Sequence, residues 1–385
     1  MQGFLSPPFL KGDLGGFCRC FRIIINHMAT PKKDQASTLS PPPASAPIFF
    51  RDILGQERIL SHLRAARKAD RLAHAYLFLG PEGVGKASVA RALAAALNCA
   101  RPGAEWDACG DCPSCRRMLA GTHADFLVIA PTSESRQPQI KIEQIREFRR
   151  VTAYAPMEGG WRVALIKPAE DMHPAAANAL LKTLEEPPAR HLLVLTAVRE
   201  ADLFPTVVSR CQKLTFTPLP YALVVQELQA RRGLSREDAV FLTALSGGSL
   251  GRALALDPTE LAQQRRQVLG DLEKLASGPA ATVLDWAKRL AKNNQELEHF
   301  LLLAQMWYRD LLLLKCGAPG RLLAHQDCLP ELEQEKGRGG PKTWFAGFAA
   351  LAATHRQLQA NLNPELTLDI LGFRLQRQGF GHESR

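Results

Sequence analysis

Short apolar runs alternate with amphipathic segments through the first half of the chain. The apolar runs span residues 75–79, 126–130, 161–166 and 192–197, and segments with helical spacing of apolar residues span 56–68, 86–97, 142–151 and 175–184. A strand covered by helices on both faces is apolar at nearly every position, and a helix that covers a sheet is apolar on one face. The alternation therefore predicts an α/β domain with a parallel sheet.

From residue 218 onward the pattern predicts helices and no further strands. Residues 218–275 are predicted as short helices around a glycine-rich turn at 246–249, and residues 276–385 as amphipathic helices. An apolar stripe at 301–315 in the last segment is typical of a core or a subunit interface. We therefore expect an α/β domain over 48–217, a helical lid over 218–275 and a helical C-terminal oligomerisation domain over 276–385.

The first 47 residues differ from the rest of the chain. Proline and serine are dense at 39–47, which is typical of a disordered linker. Met28 resembles an ordinary start, so the residues before it are either disordered or a misassigned extension. The apolar run at 17–25 is too short and too interrupted for a secretory signal.

Composition describes an ordinary soluble protein. The chain has 385 residues, of which 46% are hydrophobic and 22% charged, and a net charge of +10. It has no run of about 18 uninterrupted apolar residues, so we expect no membrane contact and a cytoplasmic location. The positive charge permits nucleic-acid binding, but on charge alone a basic surface without that role is equally open.

A glycine loop of the phosphate-binding type lies between the first predicted strand and its helix. Residues 80–86 read GPEGVGK, with Gly80, Gly83, Gly85 and Lys86 at the positions that such a loop requires. Glycines let backbone N–H groups close around phosphate oxygens, the helix N-terminus adds partial positive charge, and Lys86 reaches the outer phosphates. The residues alone also allow a loop that is kept only for its tight turn.

The residues that hold magnesium in an active site of this kind are missing. The position after Lys86 normally carries a hydroxyl, and here it is Ala87; Ser88 comes one residue late, about 100° further round the helix. The strand predicted at 161–166 is followed by Lys167 and not by an acidic residue. The sequence therefore predicts an ATPase fold without hydrolysis, and it leaves nucleotide binding open.

Four of the nine cysteines form a cluster with metal-ligand spacing. Cys99, Cys109, Cys112 and Cys115 are separated by nine, two and two residues. Four closely spaced thiolates satisfy tetrahedral zinc and leave no open coordination position, which favours a structural site. We therefore predict a zinc knuckle over 99–115, with iron–sulfur ligation and unliganded cysteines as the alternatives.

Three further segments resemble the subunits of the bacterial clamp loader, the AAA+ assembly that opens the ring-shaped sliding clamp of the replicative polymerase. These are DILGQ at 52–56, NALLKTLEEPP at 178–188 and SRC at 209–211. The resemblance covers roughly residues 50–275 and implies an AAA+ P-loop domain with an inserted zinc knuckle, an all-α lid and an all-α C-terminal collar. It also implies that Arg210 is an arginine finger acting in trans, and that Thr196 and Arg252 occupy two nucleotide-sensor positions.

Within that family, the chain is more similar to the stator type, delta-prime, than to the motor type, gamma/tau. The motor needs a complete P-loop and an acidic pair after residue 166, whereas the stator keeps the finger without the hydrolytic residues. The resemblance implies a role in the DNA polymerase III holoenzyme, in loading the clamp onto primed DNA. Its partners would be the gamma/tau and delta subunits, the sliding clamp and primed DNA.

Two other functions stay open at this point. An active motor ATPase would use Glu170 or Asp171 as magnesium ligands in a shifted register. A standalone AAA+ protein would act on DNA without partner subunits. For single residues, Arg210 can also be a plain surface arginine, and Arg252 a packing residue. Glu185 and Glu186 could suggest general acid or base work, but their position before Pro187 at a helix end is more typical of a solvated or DNA-facing edge, and we expect no catalysis from them.

Overall fold

A computed structural model describes residues 49–132, 138–158, 160–360 and 362–379. The expectations for residues 1–47, including the linker and the start at Met28, lie outside the described residues. The chain forms two compact units, the first ending at Pro220 and the second beginning at Tyr221.

A five-stranded parallel sheet is the centre of the first unit. Its strands are β1 (Ala75–Leu79), β2 (Phe126–Ile129), β3 (Arg162–Ile166), β4 (His191–Ala197) and β5 (Gln212–Thr215). They lie in the order β2-β3-β4-β1-β5, and every neighbouring pair is parallel. This order places β1, which leads into the glycine loop, between β4 and β5.

Helices cover both faces of this sheet. They are α1 (Glu57–Lys68), α2 (Lys86–Asn98), α3 (Pro113–Ala120), α4 (Ile142–Thr152), α5 (Pro174–Glu185) and α6 (Pro205–Val208). Side chains of β1 alternate between two cores: Tyr76 and Phe78 pack with α1 and α2, while Leu77 packs on the other face with α4, α5 and α6. Burial on both faces explains why the strands read as continuous apolar runs.

The predicted strands and helices of this unit form, with ends within two residues of the expected ones. Helix α5 stops at Glu185, two residues before Pro187, as its proline pair predicts. Strand β5 was not predicted. It has four residues at the edge of the sheet, and only Leu214 among them is buried, so it shows neither an apolar run nor a clear alternation.

The second unit is helical throughout its described residues. Its helices are α7 (Tyr221–Arg232), α8 (Arg236–Ser246), α9 (Leu250–Ala255), α10 (Pro258–Ser277), α11 (Ala280–Ala291), α12 (Asn294–Lys315), α13 (Leu329–Lys336), α14 (Pro341–Gln359) and α15 (Pro364–Gly379). The expectation of only short helices over 218–275 is wrong, because α10 has 20 residues and continues to Ser277. Within the described part of the chain, no helix combines the length and apolar character needed to cross a membrane.

Candidate functional site

The glycine loop occupies the turn between β1 and α2. Gly80 has φ +144°, and a Cβ there would lie 2.6 Å from the carbonyl oxygen of Phe216, so only glycine fits. Its N–H donates to Ala197 O at 3.1 Å, which ties the start of the loop to the end of β4. Gly83 and Gly85 also have positive φ, +73° and +101°. The loop therefore has the tight, left-handed backbone that a phosphate cradle requires.

Lys86 is buried and is bound by its own loop. Its Nζ donates to Pro81 O at 2.9 Å and also to Gly80 O. Burial lowers the pKa of Lys86 to about 8, and the nearby carboxylates of Glu170 and Glu82 oppose part of that shift. Two of the three ammonium N–H groups therefore bond to loop carbonyls just before α2.

Among the carboxylates, Glu170 raises the pKa of Lys86 the most. It lies in a 3-10 helix, Ala169–Asp171, and its Oε1 accepts a hydrogen bond from the Val198 N–H at 3.0 Å. Its Oε2 is buried and has no hydrogen-bond partner among the described residues. Burial raises the pKa of Glu170, and Lys86 partly offsets this. Burial likewise raises the pKa of Asp171.

The predicted sensor residues lie in different units. Thr196 is buried on β4 and pairs in register with Phe78 of β1, one residue before the strand end that contacts Gly80. Arg252 lies on α9 of the second unit, after the N-cap Ser249. Gln56, from the segment at 52–56, donates to Val84 O within the loop at 3.4 Å and to Thr217 O at 2.8 Å. Within the first unit, the structure thus brings Thr196, Gln56 and the glycine loop together.

The four cysteines of the predicted knuckle converge on one point. The sulfurs of Cys99, Cys109, Cys112 and Cys115 all lie within 4.8 Å of one another, and those of Cys109 and Cys115 are 3.9 Å apart. None of the four is in a disulfide. A tetrahedral zinc with Zn–S bonds of about 2.3 Å separates its sulfurs by about 3.8 Å. The cluster therefore has the donor set and nearly the dimensions of a Cys₄ zinc site.

Backbone N–H groups also point at these sulfurs. The N–H of Cys109 donates to Cys99 Sγ at 3.3 Å, that of Cys112 to Cys109 Sγ at 3.4 Å, and that of Cys115 to Cys112 Sγ at 3.5 Å. Bonds from Cys112 and then Asp111 lower the pKa of the Cys109 thiol to about 6. N–H donors stabilise thiolates, which are the form that binds metal.

Asp107 fastens the knuckle to the body of the first unit. Its carboxylate accepts hydrogen bonds from the backbone N–H of Phe50 at 2.8 Å and of Ala108 at 2.9 Å, and it pairs with Arg51 at 3.3 Å. Cys112 caps α3, and it packs with Cys115 and Met118 into the core that also holds α2. The cluster is thus packed into the helical layer that covers one face of the sheet.

Arg210 lies on the surface directly after α6. Its Nη2 donates to Glu185 Oε1 at 2.6 Å, and its Nη1 donates to Thr206 O at 2.9 Å and to Ser209 Oγ at 3.3 Å. About a third of the Arg210 side chain and about half of the Glu185 side chain are exposed, at 35% and 49%. The guanidinium is therefore oriented by three neighbours and still reaches solvent.

Sequence reasoning missed two residues of these sites. The spacing of the cysteines gives no indication that Asp107 anchors the knuckle, and nothing around Glu185 indicates a contact with Arg210. Glu185 pairs with a residue 25 positions away, so no local pattern identifies the contact. The sequence does predict where Glu185 lies, because the double proline that follows ends the helix and puts Glu185 in its last turn.

Comparison with known proteins gives subunits of DNA polymerase III among the relatives. The family described as "DNA polymerase III, delta subunit" matches residues 55–220 of the chain. The DNA polymerase III subunit delta' of Bacillus subtilis is 30% identical over 327 residues, which cover 83% of this chain and 96% of that protein.

Other relatives match over shorter stretches. The DNA polymerase III subunit delta' of Pseudomonas aeruginosa is 42% identical over 206 residues, 53% of this chain and 61% of that protein. The DNA polymerase III subunit tau/gamma of Haemophilus influenzae is 34% identical over 231 residues, 59% of this chain and 33% of that protein. The match therefore spans less than two thirds of the length of these two relatives.

Proposed function

The chain belongs to the DNA polymerase III delta-prime family, and from this membership we propose that it is a non-hydrolysing AAA+ subunit of a bacterial clamp loader. In this role it would support ATP-driven loading of the sliding clamp onto primed DNA in the cytoplasm. Its partners would be gamma/tau-type and delta-type subunits. The names of the relatives support membership of that assembly, and the individual partners are part of the proposal.

The observation that carries the proposal is a contrast between two cations of the first unit. Lys86 is buried and bonded to carbonyls of its own loop, beside Ala87, which has no hydroxyl for magnesium. Arg210 instead lies at the surface with a third of its side chain exposed. A chain that has lost its own magnesium ligands and keeps an outward-facing, oriented arginine is suited to act on a nucleotide held by another chain.

In that arrangement Arg210 would stabilise charge on the phosphate that leaves the neighbour's ATP. An arginine placed at a transferring phosphoryl group accelerates hydrolysis by about 10³ to 10⁵ where this has been measured in GTPases. Lys86, Gly80, Gly83, Gly85, Thr196 and Arg252 would form this chain's own nucleotide site. That site would bind nucleotide weakly or serve only the fold, and it would not turn it over.

The cysteine cluster would hold a structural zinc ion. Its four sulfurs fill a tetrahedral site completely, so the metal would have no open position for a substrate. When bound, it would cross-link the C-terminus of α2 to the N-terminus of α3 and keep the segment between them folded. The ion would therefore stabilise the outer layer of the first unit and take no part in hydrolysis.

The C-terminal helices would supply the collar that joins the subunits. On α15 the large apolar side chains of Leu366, Ile370 and Phe373 are exposed, at 61%, 46% and 36%. Their spacing of four and three residues puts them on one face of the helix. A stripe of this kind is typical of a helix that packs against another subunit.

Reconstitution tests this function directly. The full chain is mixed with a gamma/tau-type motor and a delta-type subunit, and size-exclusion chromatography and ATPase activity with clamp and primed DNA are measured. We expect a stable complex whose DNA-stimulated ATPase depends on this chain. A standalone DNA-binding protein would instead remain separate from the other subunits.

The competing function is an active motor ATPase, and one observation favours it. Glu170 is close enough to Lys86 for the two charges to influence each other, which puts a carboxylate near the loop even though Lys167 occupies the usual position. The purified chain alone decides between the two functions. Turnover of about one ATP per second that disappears in Lys86→Ala would establish the motor.

A further inference from the structure

Glu185 and Arg210 come from two different helices and meet at the surface. Glu185 is the last residue of α5, and Arg210 lies two residues past the end of α6. Their contact of 2.6 Å joins two ionised groups, which makes it stronger than a hydrogen bond between neutral groups. The ion pair therefore connects the end of α5 to the segment that carries Arg210.

The contacts of Arg210 leave part of its guanidinium available. A guanidinium has five N–H groups. Within the described residues, Nη1 uses two of them on Thr206 O and Ser209 Oγ, and Nη2 uses one on Glu185 Oε1. The Nε–H and one N–H of Nη2 remain for a further acceptor. Arginine binds phosphate with two parallel hydrogen bonds donated by groups of this kind.

An arginine that acts on another chain's phosphate must be ordered before it arrives there. A free arginine side chain samples many rotamers, and fixing it in the transition state lowers the rate by the entropy that is lost. Contacts within its own chain reduce this loss, because the side chain is already held in place. The backbone carbonyl of Thr206 and the hydroxyl of Ser209 fix one end of the guanidinium, and of the residues that the structure describes only Glu185 fixes the other.

We propose that Glu185 is a positioning residue for Arg210: it orients the guanidinium so that its remaining N–H groups face the nucleotide of the adjacent subunit. This inference rests on the proposed function, since it requires that Arg210 act in trans. Glu185 itself touches no nucleotide in this mechanism. Its whole effect passes through Arg210.

Glu186 provides a matched control. It is the next residue, it is exposed, and its side chain makes no hydrogen bond or ion pair with the described residues. Replacing either glutamate removes the same charge from the same helix end, so the two variants have nearly the same effect on the helix dipole and on net charge. Only Glu185→Ala removes the contact with Arg210.

The test uses the reconstituted loader with clamp and primed DNA; for each variant, kcat at the neighbouring motor site is measured by single-turnover hydrolysis, together with KM for ATP. We expect Glu185→Ala to lower kcat about twofold to fivefold at unchanged KM, which is the effect expected from one partly exposed ion pair. Glu185→Gln keeps an oxygen that accepts from Nη2 and should restore most of the rate. Glu186→Ala should match the wild type, and Glu185→Ala should cause no further loss in an Arg210→Ala background.

Three outcomes would overturn the inference. They are an unchanged or higher kcat in Glu185→Ala, an equal loss in Glu186→Ala, and additive losses in the double variant. A higher kcat would mean that Glu185 holds Arg210 away from the nucleotide. If Arg210→Ala itself leaves the loader ATPase unchanged, the proposed function fails first, and the inference fails with it.

A measurement on the isolated chain separates these two failures. Rotation of the Arg210 guanidinium about its Cζ–Nε bond is followed by NMR of arginine-labelled protein. We expect slow rotation in the wild type and in Glu186→Ala, and faster rotation in Glu185→Ala. Equal rotation rates in all three would show that Glu185 does not hold the group, whatever the loader assay gives.

Discussion

The Nζ of Lys86 lies 2.9 Å from the carbonyl oxygen of Pro81, five residues earlier in the same loop. Two of the three N–H groups on the cation that would meet a nucleotide phosphate thus bond to carbonyls of its own turn. A phosphate that binds Lys86 would therefore compete with these carbonyls. Under the proposed function, this competition would weaken nucleotide binding by a loop that keeps its glycines and its lysine.

A first prediction concerns the charge of Lys86. Because burial lowers the pKa of its ammonium to about 8, the side chain should titrate near that pH and well below ordinary lysines, which titrate at about 10.4. NMR of protein labelled with ¹³C at lysine Cε measures this, and Lys86→Met identifies the resonance by its loss. A midpoint at or above pH 10 would contradict the prediction.

The same titration fixes the sign of any pH dependence of nucleotide binding. Only the charged form attracts phosphate, and it is the main form below pH 8. Affinity for ADP should therefore fall about tenfold between pH 7 and pH 9, as the free chain loses the proton that binding requires. Fluorescence anisotropy of a labelled ADP measures this, with Lys86→Met expected to show weak and pH-independent binding.

A second prediction concerns the cysteine cluster. Protein expressed without added metal should contain about one zinc ion per chain, and Cys112→Ser should lose most of it, because three thiolates bind zinc less tightly than four. Elemental analysis gives the metal content. Cys316→Ser is the control, since Cys316 is an exposed free cysteine of the second unit.

Loss of zinc should affect the knuckle more than the sheet. In Cys112→Ser, amides at 99–120 should exchange with solvent faster, while those of β1 and β4 keep their protection. Iron with visible absorbance in the wild type would identify the cluster as an iron–sulfur site and not a zinc site. Protein without any metal would remove the metal site altogether.

A third prediction concerns the buried pair of Asp125 and Arg162. Both side chains are almost fully buried, and their contact is 2.8 Å. Asp125 also accepts the backbone N–H of Met157 at 3.0 Å and of Glu158 at 2.8 Å. Asp125→Ala should destabilise the first unit by about 3–5 kcal/mol, because it leaves Arg162 as an uncompensated buried charge.

The loss of stability in Asp125→Ala is measured by hydrogen exchange of the β3 amides. This exchange reports on the first unit alone and avoids a two-state treatment of the whole chain. Asp202→Ala is the matched control. Asp202 pairs with Arg199 at 2.8 Å, but both side chains reach solvent, so its loss should cost less than about 1 kcal/mol. Equal effects of the two variants would refute the special role of the buried pair.

The fold of the first unit could largely be predicted because its strands are covered on both faces. The runs at 75–79 and 192–197 are apolar at nearly every position, and the structure buries every residue of β1 and β4. Strand β5 escaped prediction because three of its four residues are exposed. Its position depends on hydrogen bonds to β1, which no local pattern records.

The candidate sites, like the strands, could be predicted only where a local sequence pattern marks them. The glycine loop and the cysteines could be predicted because their residues are close in sequence, and their spacing already fixes their geometry. The pairs Glu185–Arg210 and Asp125–Arg162 join residues 25 and 37 positions apart. They meet only because the order of the strands and helices brings them together, and that order is set by packing over the whole unit.

The last prediction compares Arg210 with Lys86 in one complex. Arg210→Ala should leave the fold and the assembly intact, since a surface arginine in a half-exposed pair adds little stability. Single-turnover hydrolysis at the neighbouring motor site should fall by about 10³ or more, because that site loses a cation that stabilises its transition state. The steady-state rate should fall less, as motor sites served by other subunits keep their own arginines. Arg210→Lys should rescue poorly, since lysine lacks the planar fork.

Lys86→Ala in the same complex supplies the comparison. Under the stator function this chain hydrolyses nothing, so loss of Lys86 should leave the ATPase rate near that of the wild type. Under the motor function the order reverses, because Lys86 would then hold the phosphates of a nucleotide that is turned over. The nucleotide site of this chain lacks magnesium ligands, so Arg210 can contribute to hydrolysis only at the site of a different chain. A larger loss in Lys86→Ala than in Arg210→Ala would therefore exclude the stator function.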